Sequence, residues 1–266
     1  MKHLLLFLTT LYLTPIHADI VMGVVPQQSP LKLLKTWSPI TKYLSKQTGE
    51  KIIFKTETSI TKFEKVLYSG GYDFAYMNPY HYIVAHKTQG YEARLRAQKN
   101  IKGILVMKKG RSIDDIKKEN FTYLFPAPNA FAATLLTKYD LLEKYKVPIE
   151  VLNNAKYVNS HDSVYKGVSR GLGDVGGGIE RTFRALNDEK TKESLTVVHT
   201  TKAYPSHPFA FNPSMREETK NKIIHALMNI PSSYLQKLKI KELRPTDNKE
   251  YESIQELATK LKVVEY

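Results

Sequence analysis

GGYDFAYMNPYHYIVAH, from Gly70 to His86, decides how this chain is read. The glycine pair marks a turn, Tyr72–Met77 reads as a buried strand, and Asn78-Pro79 announces a helix. Asparagine is a good N-cap, and proline at the first helical position gives up an amide hydrogen that would be unpaired anyway. A helix that starts where a parallel strand ends leaves unpaired amides and a partial positive charge at the carboxyl edge of the sheet. Open α/β sheets bind ligands there. Tyr76, Tyr80 and Tyr82 cluster at the same place. A similar unit returns in SRGLGDVGGGIERTF, Ser169–Phe183, so two similar α/β lobes sharing a cleft are expected.

Working outward, Asp19–Val25 and Ile52–Thr56 read as strands. Between them, Ser29-Pro30 opens a helix that ends at Gly49, with Leu31, Leu34, Ile40 and Leu44 as its apolar face. Thr58–Thr61 reads as a polar turn before a short helix, Lys62–Ser69. Strand–helix alternation of this kind builds a parallel sheet. Ile101–Lys108 is apolar enough to be a central strand and is expected to carry the chain into the second lobe. Phe121–Phe125 follows as a strand, then a helix Ala130–Tyr145 with Asn129 as its cap. Ser160-His161-Asp162 opens another helix, with Val164 and Val168 facing inward. Leu195–Thr200 returns the chain, and the prolines of YPSHPFAF, Tyr204–Phe211, predict an extended, edge-like path. Helices Arg216–Met228 and Tyr251–Leu261 close the sequence. The expected organisation is a leader at 1–18, a first lobe at 19–104, a second at 105–200, and a return to the first at 201–266.

With 266 residues the chain has ample material for its cores, and it contains no cysteine. Disulfides, thiolate metal sites and cysteine nucleophiles are thereby excluded. Met1-Lys2-His3, the apolar run Leu4–Leu13 and a small residue at Ala18 have the grammar of a secretory signal cleaved after Ala18, which places the mature protein in the periplasm. The run is shorter than the roughly 20 residues that span a bilayer. The net charge of +14 is spread over scattered lysines, without a basic run, on the polar faces of predicted helices. Together with export, this reads as a solvated basic surface and not as a nucleic-acid interface.

Four predicted helices begin with a small polar cap directly after a strand: at Ser29, Asn78, Asn129 and Ser160. If the lobes face each other, these N-termini converge. Each favours an anion by about 0.3–1 kcal/mol and supplies orphan amides. Such a site suits a small tetrahedral oxyanion and requires neither metal nor cofactor. His161, at the first position of its helix, can donate to an oxyanion or simply pack. Arg181 can offer a bidentate fork or pair on the surface, and His207 stands in a proline-constrained segment. Ser59, Tyr76, Tyr80 and Ala130 complete the candidate ligand-binding set.

Gly171-Leu172-Gly173-Asp174-Val175-Gly176 matches a dinucleotide fingerprint literally, but a helix and not a strand precedes it. Its glycines are read as allowing close backbone approach or tight turns, and Asp73 and Asp174 as turn formers. No zinc-protease, Walker, nucleophile-elbow or carboxylate-dyad pattern is present. The best nucleophile–base pair, Ser160 with His161, is weak, so no enzyme is expected.

MGVVPQQSP (Met22–Pro30), YDFAYMNPYHY (Tyr72–Tyr82), IKGILVMKK (Ile101–Lys109), FPAPNAFAAT (Phe125–Thr134) and Ser160–Phe183 together resemble the periplasmic substrate-binding proteins of phosphate/phosphite/phosphonate ABC transporters, phosphonate-binding-protein-like members of the type 2 periplasmic binding proteins. The resemblance covers almost the whole mature chain. It implies two α/β lobes joined by two crossing strands, an oxyanion held by helix N-termini, a monomer, and delivery to an ABC permease. A membrane histidine kinase or chemoreceptor is the alternative partner. His161 matches the family's histidine. Aminophosphonate-binding members carry a Ser-Thr-Ser-Gly-like anion turn where this chain has Asn129-Ala130-Phe131-Ala132, and their amine-holding acids align with Arg181 and His207. Those exchanges imply a plain anion: phosphate, phosphite or a small phosphonate.

Overall fold

The computed structural model describes residues 19–117 and 121–263. The expected leader and its cleavage point after Ala18 lie outside the described residues. Eleven strands form among those residues: β1 Ile20–Val24, β2 Ile52–Lys55, β3 Phe74–Tyr76, β4 Glu92–Ala97, β5 Gly103–Lys108, β6 Tyr123–Phe125, β7 Lys156–Tyr157, β8 Val175–Ile179, β9 Leu195–Thr200, β10 Pro208–Phe211 and β11 Leu243–Pro245. They make two sheets, ordered β11-β4-β10-β3-β1-β2 and β7-β6-β8-β5-β9. The β1–β2, β1–β3, β6–β7 and β6–β8 pairs are parallel, and the pairs that include β4, β5, β10 or β11 are antiparallel. The internal repeat is visible in the two aspartates. Asp73 Oδ2 accepts from Val21 N at 2.7 Å, and Asp174 Oδ2 accepts from Thr122 N at 2.9 Å. Each ties the turn before one parallel strand to the start of its neighbour.

The chain leaves the first sheet after Ala97, enters the second at Gly103, and returns between Thr200 and Pro208. The two crossings pair where Ile101 and Tyr204 exchange backbone hydrogen bonds of 2.8 and 2.9 Å. The Thr201 hydroxyl accepts from Gly103 N at 3.0 Å.

Three expectations change. The helix Pro30–Thr48 buries Leu33, Trp37, Ile40, Thr41 and Leu44, whereas Leu31 and Leu34 are 61% and 49% exposed. Trp37 sets the stripe: a face stepping from Leu33 by helical spacing buries the indole, and one built on Leu31 and Leu34 leaves it in water. The segment around Pro208 is not an edge. β10 lies between β3 and β4 with all four residues buried. Its proline is the first strand residue, where a missing N–H is tolerated, and the Pro208 carbonyl accepts from Met77 N at 3.2 Å. Finally, Asn129 does not cap its helix. Ala130 stands at the cap position of a π-helix, Phe131–Leu136, that continues as the α-helix Thr137–Glu143.

The wide turn lies directly on the second sheet. A Cβ on Gly177 of β8 would fall 1.9 Å from the Ala133 carbonyl oxygen, and one on Gly103 of β5 would fall 2.1 Å from that of Ala132. Close backbone approach is therefore what these glycines provide.

A candidate anion site between the sheets

Each helix that reaches the cleft is placed by the strand before it, and its cap decides which amides remain for a ligand. Asn78 follows β3, and its Oδ1 accepts from His81 N at 2.8 Å. Ser59 and Ser160 do the same for Lys62 N and Ser163 N, at 3.2 and 3.1 Å. Amides ahead of those bonds have no intrahelical acceptor. In the π-helix, Thr134 N and Leu135 N both reach back to the Ala130 carbonyl, at 2.8 and 3.3 Å. The amides of Phe131, Ala132 and Ala133 precede them and are left over. Short π segments recur at functional sites, and here the wide turn faces the cleft.

A cavity of about 10 Å³ lies where these starts meet, lined among others by Ile60, Asn78, Ala130–Ala133, His161 and His207. That volume is close to the least that holds one buried water. No carboxylate lines it. Glu64 is nearby but engaged: its Oε1 accepts from Asn129 Nδ2 at 2.9 Å and stands 3.1 Å from His81 Nε2. Asn78 Nδ2 donates to the Asn129 carbonyl at 3.0 Å, joining the two lobes across the cavity wall.

Both histidines are held neutral. His161 is held at about 4 by burial and, second, by the Arg181 guanidinium. Its Nδ1 lies 3.0 Å from Thr182 Oγ1, which in turn is 2.8 Å from the Tyr165 hydroxyl. Tyr165 can give its own proton to the Ile179 carbonyl at 3.1 Å. The Thr182 hydroxyl lies within donating reach of both the Ile179 carbonyl, at 3.0 Å, and Nδ1, so either tautomer of the neutral His161 ring satisfies the cluster. Burial, and then Arg181, His81 and His161, hold His207 well below its ordinary value. Its ring stacks on Tyr76, with centroids 5.3 Å apart.

Of the residues singled out in the sequence, Asn78, Ala130, His161 and His207 line the cavity. Ser59 and Ser160 cap two of the converging helices, and Asn129 braces Asn78 and Glu64. Tyr76 and Arg181 line an adjoining chamber of about 110 Å³ that also meets Lys32, Lys237 and Lys239. Tyr80 points elsewhere, donating its hydroxyl to the Val263 carbonyl at 2.7 Å. Ser29 is exposed and makes no side-chain cap bond, and the helix begun at Ser59 takes the place expected for its own. Sequence reading missed Gln27, which lines both spaces. The available signal was its position just past the carboxyl end of β1. Among the described residues no cluster of three or more potential metal ligands is present, and no helix is long and apolar enough to cross a membrane.

Comparison with solved structures agrees with this architecture. A binding protein component of an ABC phosphonate transporter from Pseudomonas aeruginosa superposes with a TM-score of 0.82 at 17% identity, over 92% of this chain and 86% of the other. PhnD1 from Prochlorococcus marinus, solved in complex with methylphosphonate, gives 0.83 at 19% identity, over 92% and 99%. A chloride-bound protein from Xanthomonas citri gives 0.73 at 15% identity, over 92% and 98%. No curated protein sequence matches the chain significantly. The profile of a family described as "ABC transporter, phosphonate, periplasmic substrate-binding protein" matches residues 22–251, and the chain belongs to that family.

Proposed function

We propose that this protein captures one small phosphorus oxyanion (phosphate, phosphite or a small phosphonate) between its lobes and hands it to an ABC permease. The observation that carries the reading is the convergence of four helix starts, two from each lobe, on one small cavity without a carboxylate. Together their dipoles favour an anion by about 1–4 kcal/mol, and more when desolvated. Neutral His161 and His207 add N–H donors, and Asn78 adds an amide. A ligand that bridges amides of both lobes stabilises their closure, and closure is what a permease can sense. No bond is made or broken in this scheme. The crossings 98–102 and 201–207 serve as the hinge, with a lobe at each end. The mature protein is a periplasmic monomer that begins after Ala18.

A thermal-shift panel of phosphate, phosphite, methylphosphonate, aminoethylphosphonate, sulfate and small carboxylates tests the ligand class. At a hundredfold excess over the dissociation constant, a true ligand adds about 2.7 kcal/mol, a rise of roughly 5–10 °C in Tm for a chain of this size. Stabilisation by at least one phosphorus oxyanion, greater than that by the carboxylates, is expected. A flat response to every phosphorus oxyanion contradicts the reading.

A further inference from the structure

We propose that Arg181 is a positioning residue and not a ligand contact: through Gln27 it holds His207 as an Nδ1–H donor toward the anion cavity, and only while the lobes are together. The inference rests on the anion-binding reading above. Arginine has donors and no acceptor. Arg181 spends Nη1 on the Leu238 carbonyl at 2.9 Å and Nη2 on Gln27 Oε1 at 3.2 Å. With its oxygen taken, the Gln27 amide presents Nε2 to His207 Nε2, 2.8 Å away. Nε2 of His207 must therefore accept, and a neutral ring then carries its hydrogen on Nδ1. The ring cannot turn to escape this, being buried, stacked on Tyr76 and followed by Pro208 in β10. The titratable groups that act on it are Arg181, His81 and His161, and all three disfavour a second proton.

A primary amide is nearly isosteric with its own flipped form. Without Arg181, Gln27 can present Oε1 to His207 instead, which draws the ring hydrogen to Nε2 and leaves a lone pair on Nδ1, the ring nitrogen available to the cavity. Donor then becomes acceptor, against an oxyanion. The same logic sets specificity: an Nδ1–H donates to an oxygen of the ligand and opposes an ammonium. Arg181 follows β8 of the second lobe, whereas Gln27 and Leu238 belong to the first and His207 ends the crossing that enters β10 of the first sheet. The relay thus spans the cleft, and lobe closure commits His207 to its donor form.

Long-range 1H–15N NMR of the histidine rings reads the tautomer directly, with His207→Gln identifying the signal. In wild type, Nδ1 of His207 is expected protonated and Nε2 bare. Gln27→Glu keeps the Arg181 tie, but a carboxylate only accepts, so the tautomer should invert. Arg181→Met should give a mixture and weaken methylphosphonate binding by about tenfold, the weight of one hydrogen bond. Arg181→Lys, able to donate to Gln27 Oε1, should restore the wild-type tautomer. Protonation at Nε2 in wild type, no inversion in Gln27→Glu, or an unchanged tautomer and affinity in Arg181→Met each overturn the relay. A wild type that binds no phosphorus oxyanion instead defeats the proposed function, while the tautomer comparison still decides the relay.

Discussion

Acid should weaken the fold through His161 by an amount the structure sets. The side chain is 3% exposed, and burial followed by the Arg181 charge holds its pKa at about 4 against an ordinary 6.5. Between those values the unfolded chain takes a proton that the folded chain refuses. The His161 contribution is therefore complete above the unfolded value and is lost as pH falls toward the folded one. Passing both values costs about 3 kcal/mol, and at about pH 5 the loss is already about 2 kcal/mol. His207, also depressed, acts in the same direction. The assay is urea unfolding of wild type and His161→Gln at about pH 7.5 and about pH 5. Carboxylate titration is common to both proteins, so the variant should lose about 2 kcal/mol less than wild type on acidification. An anion bound beside the ring favours its charged form, so a saturating concentration of whichever phosphorus oxyanion binds should also shrink the wild-type loss. Equal pH dependence in the two proteins would rule out His161 as a source of the acid sensitivity.

Three further outcomes are expected. Asn78→Asp keeps an oxygen for His81 N but removes the donor to Asn129 and puts a negative charge on the cavity wall. Its unfolding free energy should stay within about 2 kcal/mol of wild type, while calorimetric binding of phosphorus anions is abolished; retained binding would mean that the anion lies elsewhere. Gly177→Ala drives a methyl to 1.9 Å from the Ala133 carbonyl oxygen and 2.5 Å from the Phe125 ring. It should cost about 3 kcal/mol or more and lower affinity as the π-turn lifts off the sheet, both readable in chemical denaturation with and without ligand. Arg96 is 4% exposed, donates to Glu250 Oε2 at 2.7 and 2.9 Å and to the Ala97 carbonyl at 2.9 Å, and so fastens the C-terminal segment beside the first crossing. Arg96→Met should cost about 3 kcal/mol, the low end for a broken buried pair because Arg244 still holds Glu250. An unchanged melting curve by circular dichroism would contradict that.

The parts of the fold that could be read from the sequence are those fixed by local chemistry. Asn78-Pro79 and the cap Ser160 act over a few residues, and each does what its type and spacing imply; Asp73 and Asp174 sit before their strands as expected, but their carboxylates reach Val21 N and Thr122 N, 52 residues away. The parts that escaped depend on distant partners. Leu31 and Leu34 look like a core face until Trp37 is known to pack against Tyr76 and Phe209, from strands far along the chain. Pro208 suggests an edge because the pairing of β10 with β3 and β4 leaves no local trace. The π-turn at Phe131 is permitted by Gly103 and Gly177, which lie on strands either side of it in sequence and meet it only in space. At the site, the residue types were legible but their duties were not. Arg181 reads as an anion's fork, yet it is engaged by Leu238 and Gln27. Gln27 carries no chemistry by itself and gains a role only between Arg181 and His207.

Under the proposed function, helix starts from both lobes hold one small phosphorus oxyanion. Isothermal titration of the purified mature protein with methylphosphonate, phosphate and phosphite, each repeated on Asn78→Asp, tests it most directly. Saturable one-to-one binding of at least one of them to wild type is expected, with a dissociation constant from about nanomolar to micromolar, and none to the variant. No binding of any of the three to wild type, or equal binding to both proteins, would contradict it.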